Sequence, residues 1–266
     1  MHKKQEKIAL VPKKEKRATL AAFLAVTILF LAATIQTQYQ PFEFLIKMEN
    51  FWLFIFKDLL PPKISDFSTI AQGLLQTICM AIAASLFSAI ISLILAFLGS
   101  NTTAPWKGMK KIIRFLASIQ RNIPSMIWTF ILIMAFGIGN VVGVLALFIT
   151  TCGFLIRSFI ETIDEVGNES LEALQSVGAC RLSVITQVII PGSLPGFISW
   201  LLYSLEVNIR SSTLVGAVGG GGIGLIMMGY IKQFRYHSAI GVILLIAAIV
   251  ILVDMLTNFL RKKVLA

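Results

Sequence analysis

Three polar side chains, Glu206, Asn208 and Arg210, interrupt an otherwise apolar stretch near the outer end of a candidate membrane helix. An ionisable group at the centre of a bilayer is unfavourable by about 3 kcal/mol, so such groups face one another or a polar pathway. Glu206 and Arg210 are four residues apart and share one helix face, where they can pair. Two interpretations follow: a neutralised pair that holds helices together, or a translocation path in which the planar guanidinium of Arg210 meets an oxyanion.

The residues after this group supply further candidates for a path or a gate. Hydroxyl groups follow at Ser211 and Thr213, and a glycine-rich run contains GxGxxG at Gly219, Gly221 and Gly224. That pattern predicts a dinucleotide site only between a strand and a helix, and no strand–helix alternation surrounds it. Glycines beside a membrane helix instead permit a sharp turn or a close helix contact, which in a transporter can bend as a gate.

A second polar stretch, EALQSVGACRLSVITQVIIP, occupies residues 172–191. Its leucine, valine and isoleucine residues give an approximate helical stripe, and Gly178 lies near its middle. Since glycine inside a helix costs about 1 kcal/mol relative to alanine, Gly178 predicts a turn between two short helices. From the residues alone, a surface loop with a helical turn remains the alternative.

The elements that position these residues are membrane-spanning helices. Of the 266 residues, 57% are hydrophobic and 14% are charged, whereas a soluble domain has about 25% charged residues. A bilayer core about 30 Å thick needs roughly 20 apolar residues per helix, and the apolar runs lack the alternation of a β-barrel. The predicted spans are residues 18–36, 70–98, 112–136, 141–160, 194–209 and 239–260. The predicted fold class is therefore an all-α polytopic membrane protein with about six transmembrane helices.

Basic residues orient these spans, because cytoplasmic flanks are rich in lysine and arginine. One basic group lies in the first 17 residues, a second at 107–114 and a third at 261–263. All three fit a topology with both termini in the cytoplasm and with the polar insert 161–190 on the same side. The predicted organisation is a basic cytoplasmic tail (1–17), a first helix with an outer segment (18–69) and a membrane core (70–266).

Two features between the spans carry less specific signals. The aromatic and charged segment 42–60 fits an amphipathic helix in the outer interface, with a short additional span as the alternative. Arg121 is interpreted as a topology charge near the inner face rather than a solute contact. Pro124 is expected to end or kink a helix.

The stretch at 172–191 resembles the EAA loop of ABC-importer permeases. The family pattern is Glu-Ala-Ala, three residues, Gly, nine residues and Ile-x-Leu-Pro, and the sequence matches it at Glu172, Ala173, Gly178 and Pro191. It departs from the pattern at Leu174 in place of Ala, Val188 in place of Ile and Ile190 in place of Leu. In that family the loop forms a coupling helix that docks on a separate cytoplasmic ATPase. The resemblance implies ATPase coupling for these residues, and the chain itself has no GxxxxGK[ST] phosphate-binding loop.

The stretch at 206–224, together with Arg-Asn-Ile-Pro at 121–124, is similar to the permeases of phosphonate, phosphite and phosphate importers, the PhnE-like branch. This likeness implies the transmembrane fold of a type I ABC importer (MetI-like) and a translocation path for an oxyanion. The implied partners are a second copy of the chain, two cytoplasmic ABC ATPases that bind ATP and magnesium, and an extracytoplasmic solute-binding protein. The implied location is the bacterial inner membrane, and no cofactor is expected in this chain.

Several alternatives remain open on the sequence. Permeases for methionine and glycine betaine share similar glycine-rich ends, and importer specificity resides largely in the binding protein, so the solute is not determined. An ion-coupled secondary transporter needs midplane carboxylates or broken helices; Glu206 is a candidate, but no two-half repeat is evident. A membrane enzyme is disfavoured because the chain has no paired-carboxylate or histidine-rich cluster. No catalytic or metal-binding residue and no nucleic-acid contact is therefore predicted.

Overall fold

The computed structural model describes residues 13–38, 42–176 and 179–265, without the side chains of a few of them, 169–176 included. The chain forms two compact units, one that ends at Asp58 and one that begins at Leu59. Every regular element of the described residues is helical, which confirms the all-α class. The predicted domain boundaries at 17/18 and 69/70 stay predictions.

The first unit contains the helix predicted as the first span. α1 (Lys13–Thr37) is apolar and long enough to cross a bilayer from Lys16 onward. Two short helices, α2 (Glu43–Ile46) and α3 (Met48–Leu53), lead into a π-helical turn, Phe54–Leu59. None of these three elements has the length of a span, and the interfacial placement of segment 42–60 stays a prediction.

The second unit is a helix bundle built around α7. Its helices are α4 (Phe67–Gly99), α5 (Lys107–Asn122), α6 (Ser125–Phe136), α7 (Asn140–Ser176), α8 (Arg181–Val184), α9 (Ile190–Val215), α10 (Gly222–Lys232) and α11 (Tyr236–Leu265), with π-helical turns at Ile185–Ile189 and Gly216–Gly220. α7 contacts α4, α5, α6 and α9. Five helices of the described chain are long and apolar enough to cross a bilayer, or six if α5 and α6 count as one bent span. This agrees with the prediction of about six.

The contact between α4 and α7 has the small, polar character typical of helix packing in lipid. Ser88 and Ser92 are buried on one face of α4. Ser88 donates to the carbonyl of Phe148 at 3.0 Å, and Ser92 donates to that of Cys152 at 3.1 Å. Small side chains let the two backbones approach, whereas many large apolar side chains of α4 are exposed. This contact anchors the helix against which the functional elements lie.

The third predicted span, 112–136, is not one straight helix. α5 ends at Asn122, α6 begins at Ser125, and the two helices are bent by 91°. Pro124 explains the break, because proline lacks an N–H group and disfavours the helical conformation in the residue before it. Ile123 is accordingly extended, with φ −90° and ψ 118°. The prediction that Pro124 ends or kinks a helix is confirmed.

The fourth predicted span, 141–160, is longer than the sequence indicated. α7 continues beyond Ile160 to Ser176, so the first half of the polar insert 161–190 is a helical extension rather than a loop. The polar residues of this part do not interrupt the helix, because a helix that leaves the apolar zone of a bilayer can be solvated. α8 and a π-helical turn complete the insert before α9.

Candidate functional site

A cavity of about 200 Å³ lies between α5, α6, α7 and α9. This is below the roughly 300–1,000 Å³ of pockets that hold drug-sized ligands, so the cavity suits a small solute. Its polar lining residues are Arg121, Ser125, Thr150, Thr151, Asn208 and Ser211, together with Ser204 and Tyr203. Apolar side chains such as Leu147 and Phe154 complete the wall.

Arg121 is the cationic residue of this lining. It lies in the last turn of α5, is exposed, and forms no ion pair with a described residue. A close contact between α5 and α7 places it: a Cβ atom on Gly153 would lie 2.9 Å from the backbone nitrogen of Arg121 and 2.6 Å from the Cβ of Gln120. The sequence interpretation treated Arg121 as a topology charge and missed its place on the cavity. The available signal was Pro124, which predicts a helix end just after it.

Asn208 connects three helices at the edge of the cavity. Its Oδ1 accepts a hydrogen bond from Thr151 Oγ1 at 2.8 Å, and its Nδ2 donates to Ser85 Oγ at 2.9 Å. The residue is buried, so these bonds hold α9 against α7 and α4. Asn208 therefore lines the cavity while its amide group holds the three helices together, and a role in a translocation path stays a prediction.

Glu206 and Arg210 form the ion pair that their spacing predicted. Arg210 Nη2 donates to Glu206 Oε1 at 2.9 Å. Glu206 is 8% exposed, whereas Arg210 is largely exposed. Neither is among the residues that line the cavity, where Asn208 and Ser211 lie instead. The structure thus separates the ion pair from the cavity wall, and a solute contact at Arg210 stays a prediction.

The glycine-rich run forms a tight turn between α9 and α10. Gly221 has φ 83°, a conformation that favours glycine, and a Cβ atom there would lie 1.9 Å from Asn140 Oδ1. That oxygen accepts from the N–H of Gly222 at 3.2 Å, and Thr77 Oγ1 accepts from the N–H of Ile223 at 2.9 Å. The start of α10 is therefore bound to the start of α7 and to α4.

The remaining gate candidates pack around this turn. The N–H of Gly139 donates to the carbonyl of Gly219 at 3.0 Å. Gly224 lies so close to α9 that a Cβ atom would be 2.0 Å from the carbonyl oxygen of Thr213. Thr213 faces a small apolar cleft between α4, α9 and α11 instead of the cavity. A role of these residues as a moving gate stays a prediction.

The residues predicted to couple to an ATPase are described only in part. Gly178 lies outside the described residues, as do the side chains of Glu172 and Ala173, whose backbone belongs to the end of α7. Pro191 is exposed in the first turn of α9, directly after the π-helical turn Ile185–Ile189. The chain from Glu172 to Pro191 joins α7 to α9, the two helices that contribute most of the cavity wall.

Asp164 is a buried carboxylate that joins the extension of α7 to α5 and to the α4–α5 loop. Oδ1 accepts from Ser100 Oγ at 2.5 Å and from the N–H of Asn101 at 2.6 Å, and Oδ2 accepts from Asn101 Nδ2 at 2.6 Å and from Arg114 Nη2 at 2.8 Å. No motif in the sequence marks this cluster. In the part of the chain that the structure describes, no group of three or more His, Cys, Asp or Glu residues is arranged to hold a metal ion.

Comparison with protein families places most of the second unit in one group. Residues 107–266 match the family described as "Binding-protein-dependent transport system inner membrane component". This range contains α5 to α11 and every residue that lines the cavity.

Individual relatives of the chain are named as transport permeases. The chain is 33% identical over 205 residues to the phosphite transport system permease protein PtxC of Stutzerimonas stutzeri, which covers 77% of this chain and 74% of that protein. It is 28% identical to the phosphate-import permease protein PhnE of Mycolicibacterium smegmatis, over 78% of this chain and 39% of that protein. Among solved structures, an inward-facing MetNI methionine ABC transporter chain matches with a TM-score of 0.64 at 22% identity, over 74% of this chain and 97% of that chain. This last likeness shows the fold alone, that of a MetI-like permease.

Proposed function

This chain belongs to the family of inner-membrane components of binding-protein-dependent transport systems, and from this premise we propose that it forms the translocation path of an ATP-driven importer for an oxyanion of the phosphite, phosphonate or phosphate type. The relatives named for phosphite and phosphate transport support this solute class. The observation that carries the proposal is Arg121, an exposed guanidinium on the wall of a small cavity with no ion-pair partner among the described residues.

An arginine in this position suits an oxyanion. The guanidinium group is always charged and offers a planar fork of donors that matches two oxygens of a phosphate-like group. The hydroxyl groups of Ser125 and Ser211 line the same cavity and are additional donors. Arg210 is a weaker candidate, because the carboxylate of Glu206 already compensates its charge.

The proposed assembly contains two copies of this chain, two cytoplasmic ATPases and an extracytoplasmic binding protein, with ATP and magnesium held by the ATPases. Both termini and the segment 161–190 lie on the cytoplasmic side. Movement of an ATPase pulls on Glu172, Ala173 and Gly178, and the direct connection of this segment to α7 and α9 transmits that movement to the cavity. The opening of the cavity then alternates between the two sides of the membrane.

The test is uptake of phosphite and of phosphate by the complete transporter in proteoliposomes. We expect Arg121→Ala to lower uptake tenfold or more, because hydrogen bonds to charged groups contribute about 1.5–3 kcal/mol and a tenfold change is about 1.4 kcal/mol. Arg121→Lys keeps the charge without the fork and is expected to be intermediate. Lys111→Ala, at an exposed position of the same helix, is the matched control and is expected to transport normally.

Two outcomes contradict the proposal. Full uptake by Arg121→Ala removes the residue on which the solute class depends. Uptake of methionine that excess phosphite does not inhibit identifies a permease for an amino acid instead.

A further inference from the structure

We infer that the chain contains a second, weaker oxyanion site, formed by Arg114 and Arg157 in the cleft between α5 and α7, through which the solute leaves the cavity toward the cytoplasm. The inference rests on the proposed function, because it assigns the route of release for the same anion. It concerns different residues, so the two proposals can fail separately.

The cleft places two guanidinium groups at one opening. It has a volume of about 70 Å³ and is lined by Arg114 and Ala117 of α5 and by Arg157, Ile160 and Glu161 of α7. Both arginines are partly exposed, at 41% for Arg114 and 52% for Arg157. A small anion that enters this opening therefore meets cationic donors from two helices.

The cleft and the cavity are both lined by residues of α5 and α7. α7 contributes Thr150 and Phe154 to the cavity beside Arg121, and it contributes Arg157 to the cleft beside Arg114. The two helices thus run in opposite directions along their contact. Arg114 and Arg121 are seven residues apart on α5, which is two helical turns or about 10 Å. The separation along α5 is therefore short, and Arg114 lies nearer than Arg121 to the basic end of α5, which the proposed topology puts in the cytoplasm.

The ion pairs in the cleft leave donors for a ligand and reduce its affinity. Arg157 pairs with Glu161 through Nε at 3.1 Å. Arg114 uses Nη2 for Asp164 and Nε for the carbonyl of Gly99. The other amino groups of Arg114 and Arg157 make no hydrogen bond with a described residue. Because a carboxylate lies beside each guanidinium, an anion binds here more weakly than at Arg121, and conduction requires sites from which the ion can leave.

Direct binding of phosphite tests the cleft. The complete transporter is placed in nanodiscs of zwitterionic lipid, and 31P NMR relaxation measures phosphite binding. We expect two classes of bound phosphite in the unmodified protein, of which Arg121→Ala removes the tighter one. Adding Arg157→Gln to Arg121→Ala removes the weaker class, whereas Arg157→Lys retains part of it. Glu161→Gln is expected to tighten the weaker class about two- to fivefold, the size of an exposed ion pair of up to 1 kcal/mol.

Transport gives a second readout. Arg157→Gln is expected to lower maximal phosphite uptake about two- to fivefold without changing the phosphite concentration at half-maximal uptake, since the change affects release and not capture. Lys111→Ala is again the matched control. Thermal unfolding of each variant shows whether the protein remains folded, and Arg157→Lys keeps the test valid if Arg157→Gln does not fold.

The outcomes that overturn the inference are distinct from those that overturn the proposed function. Weak phosphite binding that survives Arg157→Gln excludes the cleft. If the weak binding of phosphite disappears when the nanodiscs contain phosphatidylglycerol, the cleft binds the phosphate of a lipid headgroup. That outcome also overturns the cleft as a route for the solute. If phosphite binding to the unmodified protein contains no class that Arg121→Ala removes, the proposed function is contradicted. If it contains no class that Arg157→Gln removes, only this inference is contradicted.

Discussion

At the scale of single residues, the contacts of each arginine decide what it can bind. Arg210 shares its charge with buried Glu206, and Arg114 and Arg157 share theirs with Asp164 and Glu161. Arg121 has no such partner among the described residues and lies on the cavity. A cation without a carboxylate neighbour is the stronger anion site, since an anion does not have to compete with that carboxylate. This comparison makes Arg121 the principal candidate for contact with the solute.

The pair of Glu206 and Arg210 gives a prediction about stability. Arg210→Ala leaves a buried carboxylate without its donor, so we expect the free energy of unfolding to fall by about 1–3 kcal/mol. Uptake should fall as well, while the transporter still assembles. The double variant Glu206→Gln/Arg210→Ala removes the unpaired charge and should recover part of the stability. Thermal unfolding in detergent, followed by tryptophan fluorescence, measures both; a double variant no more stable than the single one would show that the pair is not a unit.

At the scale of elements, α7 is the helix to which the others are attached. It contributes Leu147, Thr150, Thr151 and Phe154 to the cavity wall, its carbonyl groups accept hydrogen bonds from two serines of α4, and its extension holds α5 and the α4–α5 loop at Asp164. A displacement at the end of this continuous helix therefore reaches α5, and with it Arg121. The attachment of α5 to α7 at this end depends on the carboxylate of Asp164, which accepts hydrogen bonds from several donors.

Asp164 provides the prediction at this scale. Asp164→Ala leaves Arg114, Ser100 and Asn101 without this acceptor, and leaving buried polar groups without a partner costs about 1–3 kcal/mol. We expect a lower unfolding temperature and faster proteolysis in the loop at residues 100–106. Glu165→Ala, which changes the exposed acidic residue next in the chain, is the control and should behave as the unmodified protein. Equal proteolysis of the two variants would refute the role of Asp164 as the attachment point.

At the scale of the whole molecule, the proposed function requires a contact with a separate ATPase. The EAA-like segment joins the two helices that line most of the cavity, so a pull at one place can change the cavity from two sides. Small residues at Ala173 and Gly178 are suited to close approach by another protein.

Gly178 tests this contact. Gly178→Trp adds a bulky side chain at the proposed docking site, so we expect the ATPase to bind at least tenfold more weakly and uptake to be lost, while the proposed phosphite binding at Arg121 remains. Asn168→Trp, at an exposed position of α7 before the motif, is the control for a bulky aromatic residue near the segment. Co-purification with the ATPase and ATP-dependent uptake are the two measurements. Normal coupled transport by the Gly178 variant would contradict the proposed docking.

The sequence alone was sufficient for features that depend on local composition and spacing. The apolar runs predicted about six membrane spans, and the structure has five helices of that length, or six with the bent pair α5 and α6. Pro124 indicated where that bent span breaks, and the interval from Glu206 to Arg210 indicated their pairing. Each follows from the chain's own period or from the chemistry of one residue and its neighbours. The EAA-like spacing is also read from the sequence, but Gly178 lies outside the described residues and the coupling role stays a prediction.

Only the tertiary structure decided which polar residues meet. Arg121 joins Asn208 on one cavity, Asp164 binds Arg114 across 50 residues of sequence, and Arg157 faces Arg114 in the cleft. The structure also excluded Glu206 and Arg210 from the cavity lining, although they stand within a few residues of Asn208. The reason is physical. A membrane helix has faces toward lipid, toward neighbouring helices and toward a path, and the packing of α5, α7 and α9 determines which of its faces lines the cavity. The position of a charged residue within one helix does not contain that information.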